Sequence, residues 1–133
     1  MKNRILFEGA ISPLLISELI TLGNDDVSAG AVSIFIGKVR DDEVNGKRVT
    51  AIEYSAYKEM AEKEAEDIIK TVRSAFSGVR KVIIVHSTGT VKAGDVSLFL
   101  MVTAVSRDHA TRACRHTLEM IKEHLPVWKK ELF

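Results

Sequence analysis

The stretch VSLFLMVTAVSRDHATRACRHTLEMIKEHLP, residues 96–126, combines the two patterns that decide the fold. Its first ten residues are apolar at nearly every position, which is typical of a β-strand covered on both faces. From about Asp108 the apolar residues recur every three or four positions, which predicts an amphipathic helix that runs to Leu125 and stops at Pro126. The inner stripe of that helix consists of Ala110, Cys114, Thr117, Ile121 and Leu125.

A second stretch, GAVSIFIGKVR at residues 30–40, is also apolar on both faces and predicts another central strand. The polar connection that follows contains Asn45-Gly46, a strong signal for a tight turn. It leads into VTAIEYSAY at residues 49–57, which has the composition of a strand. These segments together predict a long antiparallel hairpin over residues 31–57.

Two more helices are indicated upstream of residue 80. The segment SPLLISELITLG, residues 12–23, has Ser12 as N-cap, Pro13 at the first helical position and Gly23 just past the end. Between Lys58 and Phe76, apolar residues step by three and four, which predicts a helix ended by the Ser-Gly pair that follows.

The segment KVIIVHSTGTVKAGD, residues 81–95, predicts a further strand with turns at Gly89 and Gly94. Three helices and an antiparallel-looking sheet predict an α+β fold, with the strand order left open. The length of 133 residues is typical of one domain with a substantial core, so we expect residues 1–133 to form a single domain.

The composition excludes several classes of function. The formal net charge of +1 gives no overall field that would recruit nucleic acid or an anionic membrane. The single cysteine, Cys114, excludes an internal disulfide and is typical of a reducing compartment. No apolar run approaches the ~20 residues that span a bilayer, and residues 1–15 lack the apolar stretch of a signal peptide. We therefore expect a cytoplasmic protein that binds neither nucleic acid nor membrane.

The histidines and the cysteine do not have the spacing of a metal site. His86, His109, His116 and His124 with Cys114 contain no i,i+4 histidine pair and no Cys-x-x-Cys. Cys114 falls on the apolar stripe of the last helix, where an inert buried thiol is expected more often than a nucleophile. Nucleophile-elbow, P-loop and dinucleotide motifs are also absent. The sequence predicts neither a metal nor a cofactor.

Basic residues at strand ends are the stronger candidates for a site. Arg40 lies where an apolar strand gives way to a loop. Arg107 lies at the start of the last helix, where unpaired backbone N–H groups and the helix dipole favour an anion. It is either part of an anion pocket or paired with Asp108 or Glu119. The lysines near the end of the chain are, on composition alone, solvated surface residues.

Several motifs, taken in their order and spacing, are similar to those of one family: GKVR after an apolar strand, YSAYKEMAEKEAEDI, H-x-x-G-x-V-x-x-GD, S-R-D-H-A and K-x-x-x-P-V-W-K-K-E. From about Gly30 to Glu131 the chain resembles the catalytic (large) subunit of molybdopterin synthase. The resemblance implies an α+β fold and a homodimer with a small ubiquitin-like sulfur-carrier protein at each end, a heterotetramer. C-terminal Gly-Gly thiocarboxylates of the carrier, each the source of one sulfur, would supply the two sulfurs added to cyclic pyranopterin monophosphate, giving the dithiolene of molybdopterin.

The resemblance also assigns roles to residues. Lys122 and Lys129 match the family's two active-site lysines, and Arg40 and Arg107 match its two arginines. Guanidinium groups make bidentate contacts to phosphate, which the substrate carries. Fixed cations stabilise an anionic thiocarboxylate and the negative charge that develops in acyl transfer. Lys122 is therefore expected both to bind substrate and to take part in catalysis.

The closing segment IKEHLPVWKKELF, residues 121–133, is expected to bring both lysines to one cavity. Two ammonium groups that converge there repel each other, which favours proton loss from one and supplies a proton acceptor. Trp128 is expected to anchor the segment so that Lys129 reaches the pocket, and a role as a plain core plug is compatible with that. Lys130 is expected to point away.

Two departures from the family pattern affect the expected site. Many members have a histidine just before the arginine that follows the last strand, whereas this chain has Ser106, which we expect to donate a hydrogen bond or cap the helix. Members commonly continue past W-K-K-E, whereas this sequence ends at Phe133, so partner affinity or substrate enclosure is expected to differ. A non-catalytic paralogue that binds a ubiquitin-like sulfur carrier stays open as the alternative.

Overall fold

The computed structural model describes residues 5–133, which form eight strands and three helices. The strands are β1 Leu6–Glu8, β2 Ala31–Lys38, β3 Glu43–Val44, β4 Lys47–Arg48, β5 Ala51–Ala56, β6 Val79–Lys92, β7 Val96–Ala104 and β8 Val127–Leu132, and the helices are α1 Pro13–Gly23, α2 Lys58–Ala75 and α3 Arg107–His124. The predicted α+β class with three helices is confirmed. The domain bounds 1–133 stay a prediction, and residues 1–4 lie outside the described residues.

The main sheet has the order β2-β7-β6-β5-β8, with β1 paired to β6. Neighbours along this order are antiparallel, and the β1–β6 pair is parallel. β7 lies between β2 and β6 and is buried from Ser97 onward, which confirms the prediction for residues 96–105. Its register places Ala31 opposite Ala104 and Lys38 opposite Val96, so the two ends of β2 mark the two ends of the sheet.

The prediction that β2 is a central strand is wrong. β2 is an edge strand, and Val32, Ile34 and Ile36 keep 46%, 38% and 42% of their surface exposed. The residues of β2 that face the opposite way, including Phe35, pack against the core beneath α2 and α3. The other face of the sheet is covered by α1 only over β6 and β7. The apolar pattern of both faces was therefore correct, but one face, which we call the β2 stripe (Val32, Ile34, Ile36), is left exposed by the rest of residues 5–133.

The predicted long hairpin over residues 31–57 is also wrong. Asn45 and Gly46 adopt φ values of 52° and 79°, the left-handed conformation of a tight hairpin turn. That turn joins only the two-residue strands β3 and β4. β5 pairs instead with β6 and β8, and β2 pairs with β7. The turn signal was right, but a turn fixes the pairing only of the residues next to it.

Of the two glycine turns predicted near β6, one is confirmed and one is wrong. Gly94, with φ 93°, lies in the tight connection between β6 and β7. Gly89, with φ 76°, lies within the continuous strand β6. β6 changes neighbours near this glycine, since His86 pairs with β7 and Gly89 pairs with Tyr54 of β5. The positive φ therefore bends the strand and does not reverse it.

α1 begins as predicted. The Ser12 side chain accepts a hydrogen bond from the backbone N–H of Leu15 at 3.1 Å, and Pro13 occupies the first turn. Gly23, predicted just past the helix, is its last residue and is buried. A Cβ added there would lie 2.8 Å from Cδ1 of Ile83, so this glycine allows α1 to approach the sheet closely.

α2 and α3 cover the face of the sheet opposite α1 and pack against each other. The predicted inner stripe of α3 is confirmed, because each of its members is buried: Ala110, Cys114, Thr117, Ile121 and Leu125. α3 begins at Arg107 and ends at His124, each one residue before the predicted bound. Among the helices of residues 5–133, none is both long enough and apolar enough to cross a membrane.

Candidate functional site

β8 places Lys129 in the sheet. This strand was not predicted, and it pairs antiparallel with β5 so that Lys129 lies opposite Tyr54 and Lys130 opposite Glu53. Directly opposite residues of an antiparallel pair share a face, and neighbours along a strand lie on opposite faces. Lys129 therefore shares the face of Tyr54, and Lys130 lies on the other face, as predicted.

Trp128 does not act as the predicted anchor or core plug. Its side chain is 53% exposed, and its ring meets the Tyr57 ring edge-on with centroids 5.8 Å apart. The two rings line a cavity of about 320 Å³ together with Ser55 and Ala56. Backbone pairing with β5, and not burial of the indole, holds Lys129 in place.

A small buried cluster supports the Lys129 end of the sheet. It consists of Val39, Tyr54 and Val91, with Val127 packed against it, and we call it the Val39 floor. The floor joins the end of β2 to β5, β6 and the start of β8. It therefore ties the chain next to Arg40 to the strand that carries Lys129.

A cavity of about 500 Å³ opens beside this floor. It is lined by Lys38, Val39, Arg40, Asp41, Ala93 and Gly94. Lys38 is a cation that the sequence reasoning missed, although it lies at the same strand end that drew attention to Arg40. Two basic side chains at the end of β2 thus border a cavity large enough for a small anionic ligand.

Arg40 lies at the rim of this cavity. Its side chain is 83% exposed and forms a two-point ion pair with Asp42, with Nη2 3.3 Å from Oδ2. The hydrogen bonds that Arg40 donates to the Asp42 carboxylate raise the pKa of Arg40, so the guanidinium stays charged. An exposed ion pair contributes little to stability, and a phosphate can therefore replace the carboxylate at small cost.

Lys122 lies in the last turn of α3, and Lys129 lies just beyond the corner at which the helix gives way to β8. Both side chains are exposed. Within residues 5–133 neither lysine forms a salt bridge, so both ammonium groups are available to an anion. That they converge on one cavity stays a prediction.

Arg107 is exposed at the first position of α3. Neither predicted ion pair is formed, since Asp108 pairs with Arg112 and Glu119 pairs with Arg115, each at 3.2 Å. Both acidic candidates are thus occupied by other arginines one turn along the helix. The remaining alternative, an anion pocket at the helix start, is compatible with this geometry.

Ser106 is the N-cap of α3. Its Oγ accepts a hydrogen bond from the backbone N–H of His109 and lies 2.8 Å from Nδ1 of that ring. The helix-cap prediction is confirmed. Ser106 and Arg107 do not lie near Lys122 in this chain, because 15 residues of helix (122 − 107) separate them, about 22 Å at 1.5 Å per residue.

His86 is the residue of this region that the sequence reasoning missed, because it was weighed only as a metal ligand. It is partly buried in β6, and its ring meets the Tyr54 ring edge-on with centroids 5.1 Å apart. Burial lowers the pKa of His86, the Ser87 carbonyl raises it in part, and the charge of Lys129 lowers it further. Its proximity to Gly89 and Tyr54 follows from the register of β6, which the sequence did not reveal.

Stability should depend on the protonation of His86. Its pKa in the folded chain lies below the ordinary value of 6.5, so the unfolded chain binds this proton more readily. The contribution is therefore fully present above pH 6.5 and is lost as the pH falls through the folded-state pKa. We expect the Tm of the wild type to fall more steeply below pH 6.5 than that of a His86→Gln variant, as measured by thermal unfolding. An equal acid-side loss in both proteins would contradict this assignment.

Cys114 is buried in α3. Burial raises the pKa of its thiol, and a hydrogen bond with Ser33 lowers it in part. A thiol held in its protonated form is a poor nucleophile, which supports the prediction of an inert cysteine. No group of three or more His, Cys, Asp or Glu side chains in the described part of the chain is arranged to hold a metal ion.

Comparison with known proteins identifies relatives along most of the chain. The sequence model of the family described as MoaE protein matches residues 10–124. A molybdopterin synthase catalytic subunit of Oryza sativa subsp. indica is 39% identical over 108 residues, which are 81% of this chain and 55% of that relative. One of Nostoc sp. is 35% identical over 125 residues, 94% of this chain and 74% of that relative. The chain thus spans about half the length of the rice relative.

The fold has a close counterpart among solved structures. The X-ray crystal structure of molybdopterin synthase from Staphylococcus aureus matches with a TM-score of 0.88 and 30% sequence identity, covering 100% of this chain and 93% of that chain. The likeness therefore includes β8 and the corner that carries the two lysines. On the match over residues 10–124 and on these relatives, this chain belongs to the MoaE protein family.

Proposed function

We propose that this chain is the catalytic subunit of a molybdopterin synthase, a sulfurtransferase of molybdenum cofactor biosynthesis in the cytoplasm. It transfers sulfur from the C-terminal thiocarboxylate of a small ubiquitin-like carrier to cyclic pyranopterin monophosphate, forming the dithiolene of molybdopterin. The observation that carries the proposal is that the Val39 floor joins the Arg40 cavity to the strand of Lys129. The names of the relatives agree with it.

The chemistry of the transfer calls for these cations. A thiocarboxylate is an anion, and attack at its acyl carbon develops further negative charge on oxygen. Lys122 and Lys129 stabilise that charge, and either side chain is placed to transfer a proton to or from the reacting group. The apolar Val39 floor keeps water from one side of the site, which strengthens each electrostatic contact.

The substrate phosphate is bound by Arg40 and Arg107, with Lys122 as a further cation and Ser106 as the cap that fixes the start of α3. Within one chain Arg107 is about 22 Å from Lys122, too far to contact the same small substrate. The proposed set of residues is therefore complete only when a second copy of the chain supplies one part of it.

The β2 stripe supports a homodimer that does this. It is an exposed apolar surface on an edge strand, the kind of surface that a second chain covers. A two-fold axis that crosses β2 at right angles runs the two β2 strands antiparallel. The Ala31 end of one copy, next to its Ser106 and Arg107, then lies beside the Lys38 end of the other, next to its cavity.

A charge on the β2 stripe should abolish the dimer. We expect wild-type chain to sediment as a dimer at micromolar concentration, and Ile34→Glu to sediment as a monomer, because the buried carboxylate lacks a partner. Val27→Glu is the matched control, since Val27 is fully exposed and lies outside β2. A monomeric wild type, or a dimeric Ile34→Glu variant, would remove the β2 stripe from the interface.

The carrier docks beside β8 in this proposal. The exposed pair Tyr57 and Trp128 and their cavity of about 320 Å³ border the edge strand that carries Lys129. Exposed aromatic side chains around a small cavity are typical anchors for a protein partner. Two carriers on one homodimer give the heterotetramer.

The same surface also favours the second candidate, a non-catalytic paralogue that binds a carrier without chemistry. Single-turnover conversion of the pterin precursor with preformed thiocarboxylated carrier separates the two functions. The enzyme forms molybdopterin in that experiment, whereas the paralogue forms only the complex with the carrier. The cations at the cavity and at the corner favour the enzyme, because docking alone does not require them.

A further inference from the structure

The tautomer of His86 follows from its hydrogen bond. Nδ1 lies 2.8 Å from the carbonyl oxygen of Ser87, and a carbonyl oxygen only accepts, so Nδ1 carries the proton. In the neutral ring Nε2 then holds a lone pair and is the remaining acceptor. The ring is further held by the Tyr54 ring, whose hydroxyl lies 3.2 Å from Oγ of Ser97. The imidazole is thus fixed at both sides before any ligand arrives.

The strand pairings around His86 bring the charged residue Lys129 opposite its aromatic neighbour Tyr54. The residues paired with it on the flanking strands, Leu6 of β1 and Leu98 of β7, are apolar. β5 contributes the titratable but neutral Tyr54, and β8 contributes Lys129 directly opposite Tyr54. The buried residues of the three helices that pack against β6 are uncharged. The charge of Lys129 lowers the pKa of the ring.

We propose that His86 is a positioning residue for Lys129: the neutral imidazole, held next to Tyr54, offers the ammonium opposite Tyr54 a fixed acceptor, and a protonated imidazole repels it. The step involves only proton binding at Nε2, and no bond to carbon forms or breaks. This inference deepens the proposed function, since it rests on Lys129 acting in sulfur transfer. The coupling between the two side chains can nevertheless be measured without turnover.

Titration of His86 by NMR of its ring nitrogens tests the coupling directly. We expect the Nδ1–H tautomer and a midpoint below 6.5 in the wild type. Lys129→Gln removes the neighbouring positive charge and should raise the midpoint. Lys130→Gln, one residue along β8 on the opposite face, is the matched control and should leave it unchanged. An identical midpoint in the wild type and the Lys129→Gln variant would overturn the proposal.

The pH dependence of single-turnover transfer tests the positioning role. The wild-type rate should fall at acid pH with an inflection at the NMR midpoint of His86. His86→Leu should lower the rate by on the order of tenfold to a hundredfold, the cost of a misplaced catalytic group. His86→Gln, which keeps a polar neighbour that does not titrate, should recover part of the rate and lose the inflection. The same acid inflection in His86→Gln and wild type would overturn the role.

The two measurements separate failure of this inference from failure of the proposed function. If the wild type itself forms no product with a thiocarboxylated carrier, the sulfurtransferase assignment fails. The titration then still decides the coupling, because it needs neither carrier nor pterin. A raised midpoint in Lys129→Gln supports the pairing of the two side chains, and an unchanged one rejects it.

Discussion

Lys129→Ala is expected to lower single-turnover formation of molybdopterin by about 100-fold or more, and Lys122→Ala to do the same, the lower range for a positioned acid–base group. Lys129 is held on the Tyr54 face by backbone pairing, so its removal leaves the strand intact. Lys122 lies in the last turn of α3 and makes no ion pair within residues 5–133. Each loss would therefore reflect missing charge at the site and not a damaged fold.

Lys130→Ala is the internal control for this experiment. It removes an equal charge one residue away on the opposite face of β8, so turnover should change little. Carrier binding, measured by calorimetry, should survive in all three variants because their docking surface is unchanged. Near-normal turnover in both Lys122→Ala and Lys129→Ala would contradict the catalytic assignment and leave the binding-module alternative standing.

Mixed dimers of two impaired variants are expected to regain activity at a substrate concentration too low to saturate the Arg107→Ala variant. Alone, Arg107→Ala should weaken substrate binding by about 1.5–3 kcal/mol, as for hydrogen bonds to a charged group, and Lys122→Ala should be nearly inactive. A dimer with one chain of each kind has one site that lacks both groups and one that keeps both. A purified mixed dimer should therefore recover about half of the wild-type turnover, since the two sites of a two-fold dimer are equivalent.

The outcome depends on whether each site contains Lys122 and Arg107 from one chain or from two chains. If each site used Lys122 and Arg107 of the same chain, both sites of the mixed dimer would lack one group, and no activity would return. That result would contradict assembly across the β2 stripe. Arg40→Ala is the matched comparison: it should weaken substrate binding by a similar ~1.5–3 kcal/mol but should not complement Lys122→Ala, because both residues lie at the same end of the sheet.

Local patterns predicted the elements well. Ser12 and Pro13 predicted the start of α1, the stripe of α3 predicted its buried face, and Asn45-Gly46 predicted a tight turn. These features depend on residues within a few positions of each other. Strand pairing depends on contacts between distant segments, so the long hairpin, the central position of β2 and the role of Gly89 were predicted wrongly.

In the candidate site, too, local patterns were predicted and contacts between distant segments were not. Motif resemblance selected Arg40, Arg107, Lys122 and Lys129, and the helix pattern placed Arg107 at the start of α3, about 22 Å from Lys122 along the helix that the structure confirms. β8 escaped prediction because its run of charged residues carries no apolar alternation, and its pairing with β5 defines it. His86 escaped because its significance depends on Tyr54 and Lys129, which reach it only through two strand pairings.

The central claim, that this chain catalyses sulfur transfer, is tested most directly by mixing it with preformed thiocarboxylated carrier and cyclic pyranopterin monophosphate in a single turnover. The products are followed by mass spectrometry of the carrier and by chromatography of the pterin. We expect molybdopterin to form with two carriers converted from thiocarboxylate to carboxylate per dithiolene. A complex that binds carrier but leaves both the thiocarboxylate and the pterin unchanged would contradict the account.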